Sequence, residues 1–455
     1  MSGFGASVLS DARLARQLLR GSDRREWWRI ALTAVGAALA TGFALAAVVL
    51  ATVPDGHTVS LLHGLLSEPG TRSGVIAGLL LLLVPVLAFL GQCARIGAVH
   101  RDRRLAGLRL AGATPWQVRR IAALETGPAC LAGSAVATAG SVLVLLGLWT
   151  APTGPTWAGV AVVAVGVPVL GTAAGALALR RVVASPLGRV RRVGPVTGRG
   201  PVLLSLSALV VSAGVGVLAL TAQRGPGPRS AWQAPLGVAC LVLAFGAGSV
   251  WLAGAVARAT GRLIARRARS AAPLIAAERL REDPWAPART HAALLVVTVA
   301  ATAFLGIRHT MLTGLRSDEQ TGADAAYYTT GLDLTGAALL VALLIALSGL
   351  AVGTAESLAT RRRTLAAQVA AGVPRAVLNR ALLLETALPL APALLLAGAG
   401  GTAAGLWYSS LAGDGTLPWT AALVAPSVYA SCLLAAATAL PLLGRTVRPG
   451  ELRYA

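Results

Sequence analysis

Long apolar runs alternate with short, Arg-rich polar segments from one end of this chain to the other. Ten runs stand out, at about 30–53, 73–94, 121–149, 157–179, 201–222, 233–257, 290–307, 331–354, 381–408 and 419–443, the seventh being the shortest. Each approaches or exceeds the ~20 apolar residues that an α-helix needs to cross ~30 Å of hydrocarbon. The pattern predicts an all-α polytopic membrane protein of about ten transmembrane helices.

The polar segments are not all different. Arg101 to Thr126 and Arg361 to Thr386 align without a gap at an offset of 260 residues. Arg101/Arg361, Arg103/Arg363, Gly112/Gly372, Arg120/Arg380 and Glu125/Glu385 match, as do several Ala and Leu positions. Small apolar coincidences come cheaply in such a chain, but three Arg, a Gly and a Glu in register point to duplication. Arg29, before the first run, maps onto Arg289, before the seventh. Spans one to four then correspond to spans seven to ten, with spans five and six inserted. Six spans separate equivalent positions, so the expected architecture is two parallel four-helix repeats related by a pseudo-twofold along the membrane normal, plus a two-helix insert.

This divides the chain into five parts: 1–28, a cytoplasmic amphipathic N-terminal helix; 29–199, the first repeat; 200–258, the two-span linker; 259–289, a cytoplasmic amphipathic segment; and 290–455, the second repeat. In the first segment Val8, Leu9, Ala12, Ala15 and Leu19 share a helical face opposite Arg13, Arg16 and Arg20. In the other, Leu263, Ile264, Leu274 and Ile275 interleave with Arg262, Arg266, Arg267 and Arg269. Such helices bury their apolar face in the inner headgroup layer and leave their guanidinium groups near water and phosphate. A solvated basic linker is the other reading.

Composition agrees with a lipid environment: 55% of residues are hydrophobic, 13% charged, and mean hydropathy is +0.70. A net charge of +22 would point to nucleic acid in a soluble protein, but its placement here points elsewhere. All 40 basic residues are Arg. With the N-terminus inside, every one except Arg72, Arg224, Arg229, Arg308 and Arg316 falls on the cytoplasmic side, as the positive-inside rule requires. Both termini are then cytoplasmic in a multi-pass membrane protein, with anionic lipid as neighbour and no nucleic-acid partner. Cys93, Cys130, Cys240 and Cys432 lie in or beside apolar runs without paired spacing, so no disulfide or metal site is expected. Most of the ten Trp, Trp116 among them, fall near the expected interfaces.

The duplicated segment carries the candidate chemistry. Arg101 to Ala111 spans about three helical turns and Gly112 is a helix stop. Thr114-Pro115-Trp116-Gln117 reads as a fresh start, with Thr as N-cap, Pro first and Gln third. The second copy keeps Gly372 and has Pro374 but lacks the Thr cap. A short helix, a sharp turn and a helix running rigidly into a span can carry a push from a bound partner into the bilayer. Glu125 and Glu385 lie about one turn inside their spans, close to Arg120 and Arg380, and a carboxylate there needs partners. They act either as a hinge or interface lock, or as structural helix-end carboxylates.

RRLAGLRLAGAT, followed by Glu125, resembles the conserved segment of the FtsX-like permease family of ABC transporters, type VII. Arg103, Leu105, Arg109, Gly112, Thr114 and Glu125 carry the likeness; Arg363, Leu365, Gly372 and Glu385 form a weaker second copy, and the tail RPGELRYA resembles the ending of such halves. Two departures stand out: the motif's Glu is Arg104 in one copy and Thr364 in the other, and no run is long enough for the large external domain that such permeases usually carry. The resemblance implies a non-enzymatic permease whose ATP and Mg²⁺ sit on a separate ATPase, docked at Arg101, Arg103, Leu105, Arg109, Gly112, Thr114 and Arg120, and at Arg361, Arg363, Leu365, Gly372 and Arg380. One chain would hold two copies of that ATPase. A chain without Lys cannot supply a Walker A loop, and no other cofactor is expected.

The short outer connections, Pro54 to Arg72 and Arg308 to Thr330, leave the bundle itself as the surface for a hydrophobic or amphipathic cargo such as an antimicrobial. His309, Tyr327 and Tyr328 in the second of these are possible ligand contacts; interfacial anchoring is their other reading. Gly171/Gly175, Gly349/Gly353 and Gly401/Gly405 read as close-packing pairs. Two alternatives remain: a mechanotransmission permease that regulates a cell-wall enzyme or senses an antibiotic without transport, and an ion-coupled secondary transporter. The last needs a buried acid at mid-membrane, which the pattern does not supply.

Overall fold

The computed structural model describes residues 24–54, 65–67, 69–93, 107–108, 110–148, 152–178, 230–317, 322–411, 418–441 and 443. These residues are helical almost throughout: α1 (Arg24–Ala51), α2 (Pro69–Cys93), α3 (Pro115–Leu148), α4 (Gly154–Ala178), α5 (Ser230–Arg267), α6 (Ala271–Glu282), α7 (Trp285–Ser317), α8 (Gly322–Thr360), α9 (Arg362–Ala370), α10 (Arg375–Leu411) and α11 (Ala421–Ala437). Eight helices, α1–α5, α7, α8 and α10, are long and apolar enough to cross a membrane, which makes this a membrane-integral protein.

Eight of the ten expected spans coincide with these helices. The tenth appears as the shorter apolar helix α11, 17 residues long. The fifth, at 201–222, lies outside the described residues, as does the amphipathic face expected near the N-terminus. The seventh run, shortest on paper, belongs to the 33-residue α7. Its helix continues past the apolar stretch because Met311, Leu312 and Leu315 keep a helical spacing and nothing before Ser317 stops it.

Two compact units are present, Met1–Val53 with Phe89–Gly194, and Pro54–Ala88 with Pro195–Ala455. In the first, α1, α3 and α4 pack pairwise against one another. Gly133 of α3 faces the Ala34 carbonyl of α1 so closely that no side chain fits between the backbones. Ser134 Oγ donates to the Ala164 carbonyl across α3 and α4 at 3.2 Å, and the Thr52 and Thr156 hydroxyls meet at 2.9 Å. Such close approaches and hydroxyl bonds hold helices together where lipid removes the hydrophobic drive.

In the second unit α7 and α10 form the centre, with α5, α8 and α11 around them. The core joins Leu294, Leu295 and Val299 of α7 to Leu390 and Leu394 of α10, with Leu350 and Val428 closing it. A Cβ at Gly401 of α10 would sit 2.6 Å from the Val299 carbonyl, so the expected packing role of this Gly holds. Hydroxyls inside the spans return to their own helix: Thr298 donates to Leu294 O at 2.7 Å and Thr302 to Thr298 O at 2.8 Å. That satisfies each group where water is absent.

Candidate functional site

The helix stop read from Gly112 and Gly372 exists in both copies. Gly112 has φ +98° and Gly372 φ +90°, the left-handed region that favours glycine. Ala371 N–H donates to Ala367 O at 2.9 Å, Gly372 N–H to Val369 O at 2.9 Å and Val373 N–H to Gln368 O at 3.0 Å, a Schellman closure of α9. In the first copy Ala111 N–H donates to Gly107 O at 2.9 Å and Ala113 N–H to Leu108 O at 3.0 Å, the same bonds at the same offset. Beyond that turn the first copy restarts through a reciprocal cap. Thr114 N–H donates to Gln117 Oε1 at 2.8 Å, and Gln117 N–H donates to Thr114 Oγ1 at 3.2 Å. In the second copy, which has Pro374 at the Thr position, the backbone carbonyl accepts from Val377 as well as from Leu378, the latter matching the bond from Val118 to the Thr114 carbonyl in the first copy.

Each copy ends its polar stretch on a buried or half-buried carboxylate held by Arg from outside its own helix. Arg361 Nη1 donates to Glu385 Oε1 at 2.8 Å and to Oε2 at 3.1 Å. Arg279 of α6 adds a third bond, Nη1 to Oε2 at 3.1 Å. One carboxylate on α10 thus grips the residue capping α9 and the helix α6. In the first unit Arg29 of α1 lies with Nη2 4.0 Å from Glu125 Oε1, both side chains 2% exposed. Facing each other offsets part of the cost of removing two charges this far from water.

This corrects the expected partner of Glu385. Arg380 is exposed, and the hydrogen bonds to Glu385 come instead from Arg361 and Arg279. Five residues along a helix is about 140° around it, so the two project from different faces. The partners come from 24 and 106 residues away. Arg289, which marked the duplication together with Arg29, serves differently from Arg29: its Nη2 donates to Asp283 Oδ2 at 2.7 Å, and Asp283 caps the start of α7 by accepting from Trp285 N–H at 3.2 Å. Arg279 was missed altogether, since α6 reads by its pattern as a surface helix.

The remaining candidate residues separate by exposure. Leu365 is 1% exposed and packs with Leu358, Leu378, Leu382, Ala439 and Leu443, so it seats α9 from beneath. Arg363, Ala367, Ala370, Gly372 and Arg380 are exposed on the opposite side. In the first copy Gly112 and Thr114 are exposed and Arg120 is half-buried, while Arg101, Arg103, Leu105 and Arg109 lie outside the described residues.

The outer-loop residues prove to be helical. His309 sits within α7, and Tyr327 and Tyr328 within the first turns of α8. The Tyr327 hydroxyl donates to Thr71 Oγ1 at 2.9 Å, Thr71 donates to Leu65 O at 2.6 Å, and the two Tyr rings meet edge to face at 5.2 Å. Arg308 Nη2 donates to Asp333 Oδ1 at 2.8 Å, tying α7 to α8. Tyr327 therefore has an anchoring task at the start of α2. Among the described residues no group of His, Cys, Asp and Glu is arranged to hold a metal ion. No family model matches the chain, and no curated protein or solved structure shows significant similarity to it.

Proposed function

We propose that this chain is the permease subunit of an ATP-driven transporter in the bacterial inner membrane. A separate cytoplasmic ATPase docks at its two Gly-terminated turns, and the bundle exports or expels a hydrophobic or amphipathic compound such as an antimicrobial. One observation carries the reading. At positions 260 residues apart, the chain builds the same left-handed Gly turn with the same i to i−5 hydrogen bond, each leading into a long apolar helix. A duplicated lever fits a duplicated motor.

Two further features support it. In each unit one helix trio packs pairwise, α1, α3 and α4 in the first and α7, α10 and α11 in the second, and the trios correspond at the offset of the duplicated segment. That favours an internal duplication of these three spans, while α2 through Ala88 belongs to the second unit. The Glu385 clamp joins α9 and α6 to α10, so a displacement of the exposed turn passes into a span without being absorbed by a loose loop.

The test is copurification of the full chain with its ATPase from native membranes. Arg363→Glu, on the exposed side of α9, is expected to abolish ATPase association while membrane insertion stays normal, and Arg103→Glu to do the same at the first copy. Unchanged association in both would remove these turns as the docking points. The cargo is tested separately, by ATP-dependent release of a lipophilic antimicrobial from reconstituted vesicles.

A further inference from the structure

The two turns share a backbone but differ in what they present. Leu110 and Trp116 stand on either side of Gly112, 63% and 62% exposed. At the matching positions beside Gly372 the chain has Ala370 and Ala376, both exposed. One turn carries two bulky apolar side chains and the other carries none.

The length of α3 favours a position for this pair outside the lipid. Along α3, Leu131, Val136, Leu143, Val144, Leu146 and Leu148 are exposed and apolar, as a lipid-facing helix should be. From Leu148 to Trp116 the helix runs about 48 Å at ~1.5 Å per residue. Hydrocarbon plus one headgroup layer reaches only about 35–38 Å, and a tilt of ~20° shortens the helix's projection to about 45 Å. With Leu148 at the outer edge of the hydrocarbon and this average tilt, Trp116 falls just beyond the inner headgroups. Around it the segment 101–120 carries Arg101, Arg103, Arg104, Arg109, Arg119 and Arg120 against the single acid Asp102. An exposed Trp and an exposed Leu in an Arg-rich segment have the composition of an interface anchor, and its complement is an apolar pocket rimmed by carboxylates.

Resting on the permease reading, we infer that the two docking turns are unequal. Leu110 and Trp116 fill such a pocket on the ATPase and hold it there, whereas the turn at Gly372, with Ala at both positions, is a weak second site. The first turn retains its ATPase subunit when the second has released.

The substitutions that test this have a precedent inside the chain, because the second turn already folds with Ala at both positions. The full chain is expressed in its native membrane with the photo-crosslinker p-benzoylphenylalanine replacing Trp116 or, separately, Ala376. ATPase adducts, identified by their Walker A peptide, are expected to form at least about tenfold more at position 116 than at 376. In the unlabelled protein, Leu110→Ala/Trp116→Ala is expected to lower ATPase retention at least about tenfold, and Ala370→Leu/Ala376→Trp to raise it. Equal adduct yields, or retention unchanged by Leu110→Ala/Trp116→Ala, overturn the inequality while leaving the permease reading intact. A phospholipid adduct at 116 shows a membrane anchor and overturns the pocket. If the double variant fails to insert, the adduct yields decide alone. If wild type retains no ATPase at all, the permease reading fails and takes this inference with it.

Discussion

Glu385 and Glu125 sit at the same place in their repeats, yet they solve the cost of a carboxylate near hydrocarbon in different ways. Glu385, 17% exposed, takes three hydrogen bonds from Arg361 and Arg279. Glu125 faces Arg29 with both side chains almost wholly buried. Glu385→Ala is expected to destabilise the protein by about 2 kcal/mol, the scale of charge-assisted hydrogen bonds partly open to water. Arg380→Ala is expected to change stability by less than ~0.5 kcal/mol, because it leaves that carboxylate's partners in place. Thermal unfolding in detergent separates the two; equal losses would return Arg380 to the clamp. At the deeper pair, Arg29→Ala takes away the guanidinium facing a buried carboxylate and is expected to cost about 3–5 kcal/mol. Replacing both partners, Arg29→Met with Glu125→Leu, is expected to recover most of that loss in the same assay, since two apolar groups need no solvation.

Among the elements, the short helix α9 shows how pattern and packing divide their labour. Its apolar side was legible: Leu365 faces inward at a spacing any helical projection reveals, and Gly372 ends the helix where a residue without Cβ is needed. A Cβ at Gly372 meets no atom within 4 Å, so the cost of Gly372→Ala is purely conformational, about 1–2 kcal/mol. The expected outcome is a lower unfolding temperature together with weaker coupling of ATP hydrolysis. A normal unfolding temperature would place the left-handed turn outside the folded core. What α9 rests against was not legible. α6 supplies Ile275 to the apolar cluster beneath α9 and Arg279 to the clamp, and its own pattern suited a helix lying on a lipid surface equally well.

At the scale of the molecule, the charge pattern makes the strongest statement. Arg crowds one set of the expected span ends and is almost absent from the other, and under the proposed ten-span arrangement the expected location of both termini is the cytoplasm. A fluorescent protein fused after Ala455 is expected to fluoresce, and an alkaline phosphatase fused there to be inactive. An active phosphatase at that point would mean an odd number of spans or an inverted orientation, and would overturn the arrangement. The run at 201–222 is the one to probe next, by cysteine accessibility on either side of it.

Composition and periodicity were enough to settle that this chain is a helical membrane protein, where eight of its spans lie, and where its two Gly turns fall. Those properties follow from local rules, the length of an apolar run and the φ angle a residue tolerates, and local rules are written in neighbouring residues. The choice of partner for each buried charge and the seating of α6 beneath α9 were decided only in the folded state. They depend on which side chains arrive together from distant parts of the chain, such as Arg279 and Glu385, 106 residues apart. No spacing rule carries that information.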